Sequence, residues 1–209
     1  MILFLIFFFK APSLLLDYLT KIGEICTKLN IPIVWVLPSG LIVKQGYLAE
    51  DEVRIKPFYY DKSRFVLKVT NPNVYNKNKQ IRAFMPNLVH SLDGASLALL
   101  LDTFFKEGLK NIFTVHDCFA VTANNIHSLL EFLKLAYIKI YSDKTYLQEL
   151  DKGIKQNIKY VYGNNSYDED TRIIKTENIE LELPDINVVL GHEPKLDFER
   201  LKKSIYILN

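Results

Sequence analysis

Residues 111–122 read NIFTVHDCFAVT, and the reading of this stretch decides the rest. Asn111 to Val115 and Cys118 to Thr122 are rich in β-branched and aromatic side chains, the composition of strands, and they meet at His116 and Asp117. The spacing predicts two antiparallel strands joined by a tight turn, with the His-Asp pair at its tip. A carboxylate in that setting is held rigidly by its apolar flanks while its oxygens stay open to a cleft. Hard divalent cations take oxygen ligands, and magnesium keeps waters and substrate phosphates while accepting one or two protein carboxylates. Asp117 is then half of a site, because phosphoryl transfer by two metals needs a second carboxylate brought in from another strand. An ordinary turn pair looks the same in isolation, since Asp is common in turns.

Working outward, the apolar positions Leu15, Leu16, Leu19, Ile22, Ile25, Cys26 and Leu29 recur at three and four, which predicts an amphipathic helix over 14–29 ended by Asn30. Two runs, Ile31 to Val36 and Leu41 to Tyr47, flank Pro38, Ser39 and Gly40, the pattern of a hairpin. Short strands are expected in 52–60 and 65–70, and NPNVYNKNKQ (71–80) has the Asn and Pro content of an exposed loop. Pro86 and Asn87 then read as the opening of a long helix closed by Gly108. Two more helices are predicted, 126–141 and 144–160. Beyond Tyr162, GNNSYDED reads as a solvated loop, and the acidic remainder as a peripheral strand and helix.

The 209 residues suffice for one large domain with a core of ordinary size. With 49% hydrophobic and 24% charged residues, the chain is neither disordered nor low in complexity. Its net charge of +2 excludes a histone-like binder, yet the sum hides an asymmetry. Residues 41–82 carry nine basic and four acidic side chains, whereas 164–209 carry six basic and ten acidic. Cys26 and Cys118 stand far apart without CxxC spacing, against both a disulfide framework and a structural zinc site. MILFLIFFF (1–9) is continuously apolar but is interrupted at Lys10 and Pro12, far short of the ~20 residues that span a bilayer. It reads as a core element at a truncated start, with no stable membrane insertion expected.

His90 and Asp93 stand three residues apart near the start of the long helix and share one face with Leu97, within reach of a common ligand. Asp in a first helical turn is also favoured by the macrodipole alone. The basic segment sets Lys44, Arg54, Lys68 and Arg82 among Tyr47, Phe58, Tyr59 and Tyr75, so cations can meet phosphates while rings stack on bases. A solvated sheet face has the same composition. No GxxxxGK[ST] and no GxGxxG occurs.

Three strings, WVLPSGLIVKQGY (35–47), MPNLVHSLDGASL (85–97) and TVHDCFAV (114–121), resemble in order and spacing three blocks in the C-terminal part of single-subunit, bacteriophage-type DNA-directed RNA polymerases. Their wording, including the Asn pair at 124–125, is most similar to the polymerases of fungal and plant mitochondrial plasmids. The resemblance covers about residues 12–160. It implies an α+β fold: the C-terminal, palm-type portion of a right-hand polymerase, antiparallel β-hairpins packed against helices, and incomplete. It implies a truncated start over 1–11, the catalytic portion over 12–160 and an acidic extension over 161–209. By resemblance Asp117 is the second metal aspartate, binding Mg2+, and His116 its catalytic neighbour. His90 and Asp93 face template and hybrid, and Arg82 and Lys44 join them as nucleic-acid contacts. DNA template, RNA transcript and nucleoside triphosphates are the implied partners, and the mitochondrion the implied location.

The same resemblance shows what these residues lack. The first metal aspartate and the fingers cations that meet the triphosphate belong well ahead of Trp35, where only 34 residues stand. The sequence therefore reads as a polymerase fragment from a broken or split reading frame, inactive alone, and it leaves open whether a separate polypeptide carries the missing palm and fingers blocks. Two other readings stay open. One is a remnant that at most binds nucleic acid. The other is a His-Asp metal phosphohydrolase, with His90, His116, Asp117 and Asp143 as ligands; those enzymes place their ligands mainly on helices.

Overall fold

The chain, described here from a computed structural model, is placed over residues 10–56, 65–115, 118–176, 179–192 and 198–204. The apolar start MILFLIFFF and the His116-Asp117 doublet lie outside the described residues. Helix α1 (Lys10–Lys28) turns one stripe inward, burying Tyr18, Leu19, Ile22, Ile25 and Cys26. Asn30 ends it in the left-handed region (φ 51°), which lets the Ile31 N–H reach back to the Cys26 carbonyl at 2.9 Å. The hairpin expected next is present as β1 (Ile33–Val36) and β2 (Ile42–Gln45), with Val36 opposite Ile42. Gly40 at φ 86° makes its turn, a conformation that residues with a Cβ rarely adopt.

Strands β3 (Leu48–Ile55) and β4 (Phe65–Tyr75) pair antiparallel into a long ribbon. The stretch 71–80, expected as a loop, is instead the end of β4 and the first turn of helix α2 (Lys77–Lys106). Tyr75 pairs with Leu48 and donates its N–H to Asn30 Oδ1 at 3.2 Å, while Asn76 caps the helix by accepting from the Lys79 N–H at 3.1 Å. Asn-rich composition here marks a cap and a strand end, not a loop. Pro86, expected to open this helix, lies inside it. A proline in a helix interior costs about 3 kcal/mol. Its neighbours Phe84 and Leu88 are buried, at roughly 1.5–3 kcal/mol each, which offsets that cost. Gly108 (φ 78°) closes α2 as expected, with the Leu109 N–H on the Phe104 carbonyl at 3.2 Å.

Strands β5 (Ile112–Val115) and β6 (Cys118–Val121) pair with Val115 opposite Cys118. Helices α3 (Ile126–Tyr141) and α4 (Tyr146–Tyr162) follow, then β7 (Ile173–Lys175), β8 (Glu180–Glu182), α5 (Ile186–Leu190) and α6 (Phe198–Lys203). Among the described residues every sheet is an antiparallel pair of strands, so the fold is α+β, a mixture of helices and antiparallel hairpins.

Two clusters hold these parts together. The larger joins α1, β1, α2 and α4 around Trp35 and Phe84, whose rings lie 5.5 Å apart, and it also takes in Tyr167, Ile174, Leu183, Ile186 and Val189. The acidic remainder is thus built into the main core and is not peripheral, and Ser166 and Tyr167 of the expected solvated loop are buried. The smaller cluster joins Leu100 of α2 to Leu129, Leu133 and Ala136 of α3.

Candidate metal and nucleic-acid site

Along β5 and β6 side chains alternate, so that Ile112 and Thr114 on one strand and Phe119 and Val121 on the other are partly covered, while Phe113, Val115 and Cys118 are exposed. Ile112, Phe119 and Val121 pack on the smaller cluster, which fixes the hairpin against α2 and α3. The flanking strands expected from the sequence are therefore present and anchored, and their last pair, Val115 and Cys118, is the one next to His116 and Asp117.

On α2, His90 is exposed and Asp93 half-buried. His90 follows buried Leu88 by two positions, about 200° around the helix, and so lies away from the main core. Asp93 turns toward α3: Tyr141 at the end of that helix has its hydroxyl pushed above the usual tyrosine range, first by burial and then by the Asp93 charge. Tyr141 stacks on Tyr137, 6.0 Å between centroids and 9° between planes, and Tyr137 packs against the cluster that carries the β5–β6 hairpin. Helix α3 thus packs both on α2, which carries Asp93, and on the strands beside the His-Asp doublet.

Lys44 and Arg82 are both exposed, Lys44 next to buried Gln45 and Arg82 two residues past buried Gln80. Gln45 donates from Nε2 to the Gln80 carbonyl at 2.8 Å and to Gln80 Oε1 at 2.9 Å, and Gln80 Nε2 returns a bond to the Gln45 carbonyl at 3.3 Å. Asn87 Nδ2 adds bonds to Gln45 Oε1 at 2.9 Å and to the Tyr47 hydroxyl at 3.1 Å. This network locks β2 onto α2 and fixes the strand and helix that carry the two cations. Sequence reasoning missed it, although Gln80, Phe84 and Leu88 at spacing four mark Gln80 as an inward position. Trp35 Nε1 donates to Ser91 Oγ at 3.0 Å, one residue past His90, and ties the first hairpin to the same helix.

Asp143, a ligand in the phosphohydrolase reading, accepts from the Thr145 N–H at 2.9 Å and from its hydroxyl at 2.6 Å, bonds that hold its carboxyl below the usual range. It is a turn residue ahead of α4. Among the described residues no group of three His, Cys, Asp or Glu stands together to hold a metal, and Asp117, the expected ligand, is outside them.

Residues 8–188 match the family model described as DNA-dependent RNA polymerase. A probable DNA-directed RNA polymerase of Podospora anserina is 50% identical over 206 residues, 96% of this chain and 22% of that protein. One of Neurospora crassa is 35% identical over 73% of this chain and 17% of its own length. The mitochondrial DNA-directed RNA polymerase of Mus musculus is 26% identical over 81% of this chain and 14% of its length. The chain spans about a fifth of the length of the two fungal relatives.

Proposed function

The chain belongs to the DNA-dependent RNA polymerase family, and we propose that it serves as the C-terminal palm-type portion of a single-subunit enzyme of that family, working in template-directed RNA synthesis. In that reaction the 3′ hydroxyl of the transcript attacks the α-phosphate of a nucleoside triphosphate, a new phosphodiester forms, and pyrophosphate leaves. Magnesium, when bound, stabilises charge on the attacking and leaving oxygens. Asp117 is the carboxylate of this chain assigned to hold it, with His116 beside it. His90 and Asp93 face template and hybrid, and Lys44 and Arg82 contact backbone phosphates. The mitochondrial polymerases among its relatives support a mitochondrial setting.

The observation that carries this reading is the paired and anchored β5–β6 hairpin, whose strands run up to the His-Asp doublet on both sides. It also disfavours the phosphohydrolase reading, whose ligands belong on helices. Residues 1–209 alone are expected to make no RNA, because one carboxylate cannot organise two metal ions and no residue here matches the fingers cations. The test supplies template, magnesium and nucleoside triphosphates to the purified chain, alone and mixed with the part of the Podospora anserina polymerase outside the matched region. Labelled RNA is expected only from the mixture, and only while Asp117 is intact; Asp117→Asn abolishes it. RNA from residues 1–209 alone that vanishes with Asp117→Asn would show that a second metal carboxylate lies within this chain. RNA from the mixture that survives Asp117→Asn would remove Asp117 from the metal site.

A further inference from the structure

A cleft of about 630 Å3, within the range of small-ligand sites, lies between α4 and the segment that follows it. Lys152, Lys155 and Lys159 enter it from α4, spaced three and four apart and so on one face, and Arg172 enters from the segment. Lys155 and Lys159 each hold their ammonium 5.6 Å from the centroid of the buried Tyr167 ring, which brings two like charges together. Both side chains remain 28% exposed. Arg172 keeps a left-handed backbone (φ 56°), uncommon for a residue with a Cβ, with its carbonyl accepting from the Leu183 N–H at 2.9 Å.

Three carboxylates also line the cleft, and two of them are fully engaged. Asp151 is buried and accepts from the Tyr18 hydroxyl at 2.7 Å through one oxygen and from Lys155 at 2.6 Å through the other. Asp185 likewise accepts from the Asn187 N–H at 3.0 Å and from Arg172 at 2.6 Å. Glu169 is different: its side chain is 77% exposed and reaches Lys159 at 2.9 Å through one oxygen. An exposed pair of that kind holds weakly. Lys152 is exposed and has no ion pair among the described residues. With Asp151 spent on Lys155 and Asp185 on Arg172, Lys152 and Lys159 share one displaceable carboxylate.

We propose that this cleft binds a small anion of two or more linked phosphate groups, which Lys152 and Lys159 contact in place of Glu169 while Lys155 adds its charge. Lys152 and Lys159 stand seven residues apart, about 10 Å along the helix, a gap that linked phosphates bridge between converging lysine stems and a single phosphate does not. A nucleic-acid strand is a poorer match, since the lining sums to only +1 and a backbone calls for a track of cations. None of these residues carries a role in the polymerase reading, so the site stands or falls without it.

The test titrates residues 1–209 in magnesium-free buffer with pyrophosphate, ATP, adenosine and a short single-stranded DNA, by calorimetry and amide shift mapping. Pyrophosphate is expected to bind at ~1 mM or below, with shifts at Lys152, Lys159 and Tyr167. Lys152→Ala with Lys159→Ala is expected to weaken binding at least tenfold, and Glu169→Gln to tighten it at least twofold. Lys139→Ala on α3 is expected to change it less than twofold; circular dichroism confirms that each variant keeps its fold. ATP that displaces pyrophosphate supports the site with a nucleotide's phosphate tail as the source, and ATP that fails to displace it supports the site with the free anion. No binding of pyrophosphate at ~1 mM, unchanged affinity in the double variant or in Glu169→Gln, displacement by adenosine, or tighter binding of the DNA than of pyrophosphate would each overturn the proposal.

Discussion

Gln80 is fully buried and Gln45 nearly so, and each is satisfied chiefly by the other. A buried amide without a partner costs about 1–3 kcal/mol, whereas removing both partners together spares most of that penalty. Gln80→Met and Gln45→Met are therefore each expected to destabilise the chain by about 1–3 kcal/mol, and the double variant by clearly less than the sum. Urea unfolding of the four proteins measures this, and additivity within about 0.5 kcal/mol would mean that the pair does not act as a unit. The candidate site depends on this pair indirectly, since Lys44 and Arg82 are each one or two residues from it. Residue types for the site were legible in the sequence: a carboxylate between two strand-like runs, and a His and an Asp one turn apart. The amides were not, because a polar residue on an inward stripe reads as noise until its partner from a distant element is seen.

Among elements, those with a strong internal period or a turn residue at each end were readable. Helix α3 was predicted over 126–141 and occupies the same residues, and the strands flanking His116 and Asp117 fall where their composition puts them. The start of α2 was not readable, because Pro86 is a good opener in isolation and only the burial of Phe84 and Leu88 makes it tolerable inside the helix. The end of α2 was readable because Gly108 has one physical use there. With φ at 78° it sits where a Cβ is strained although nothing crowds the space, so Gly108→Ala is expected to cost about 1–2 kcal/mol through the backbone alone. Thermal unfolding checks this, and a neutral result would show that the turn relaxes into another conformation. The same turn leads directly into β5, so the variant is also expected to speed amide exchange in the β5–β6 hairpin.

At the scale of the molecule, the acidic remainder is where composition misled. Its described carboxylates are exposed or half-exposed, and four of them pair with cations of the body or of the same segment, Glu169 with Lys159 at 2.9 Å, Asp185 with Arg172 at 2.6 Å, Glu180 with Lys175 at 3.7 Å and Glu199 with Lys202 at 2.6 Å. The apolar residues between them, Tyr167, Ile174, Leu183, Ile186 and Val189, are too widely spaced to show a helix or strand period, yet all are buried in the main core. A segment that wraps a core at isolated points has no sequence signature beyond those points. Each buried side chain of this size contributes roughly 1.5–3 kcal/mol, so five together rival the ~5–15 kcal/mol by which a domain is stable at all. A chain cut after Tyr160 is therefore expected to lose cooperative unfolding. It would also expose Ile158, which is fully covered in the whole chain. The check compares residues 1–160 with 1–209 by thermal melting and proton shift dispersion. A sigmoidal melt of the short chain within a few degrees of the long one would show that helices α1, α2 and α4 close the core without the segment. Loss of the transition would make residues up to Val189 part of the minimal folding unit that supports the β5–β6 hairpin.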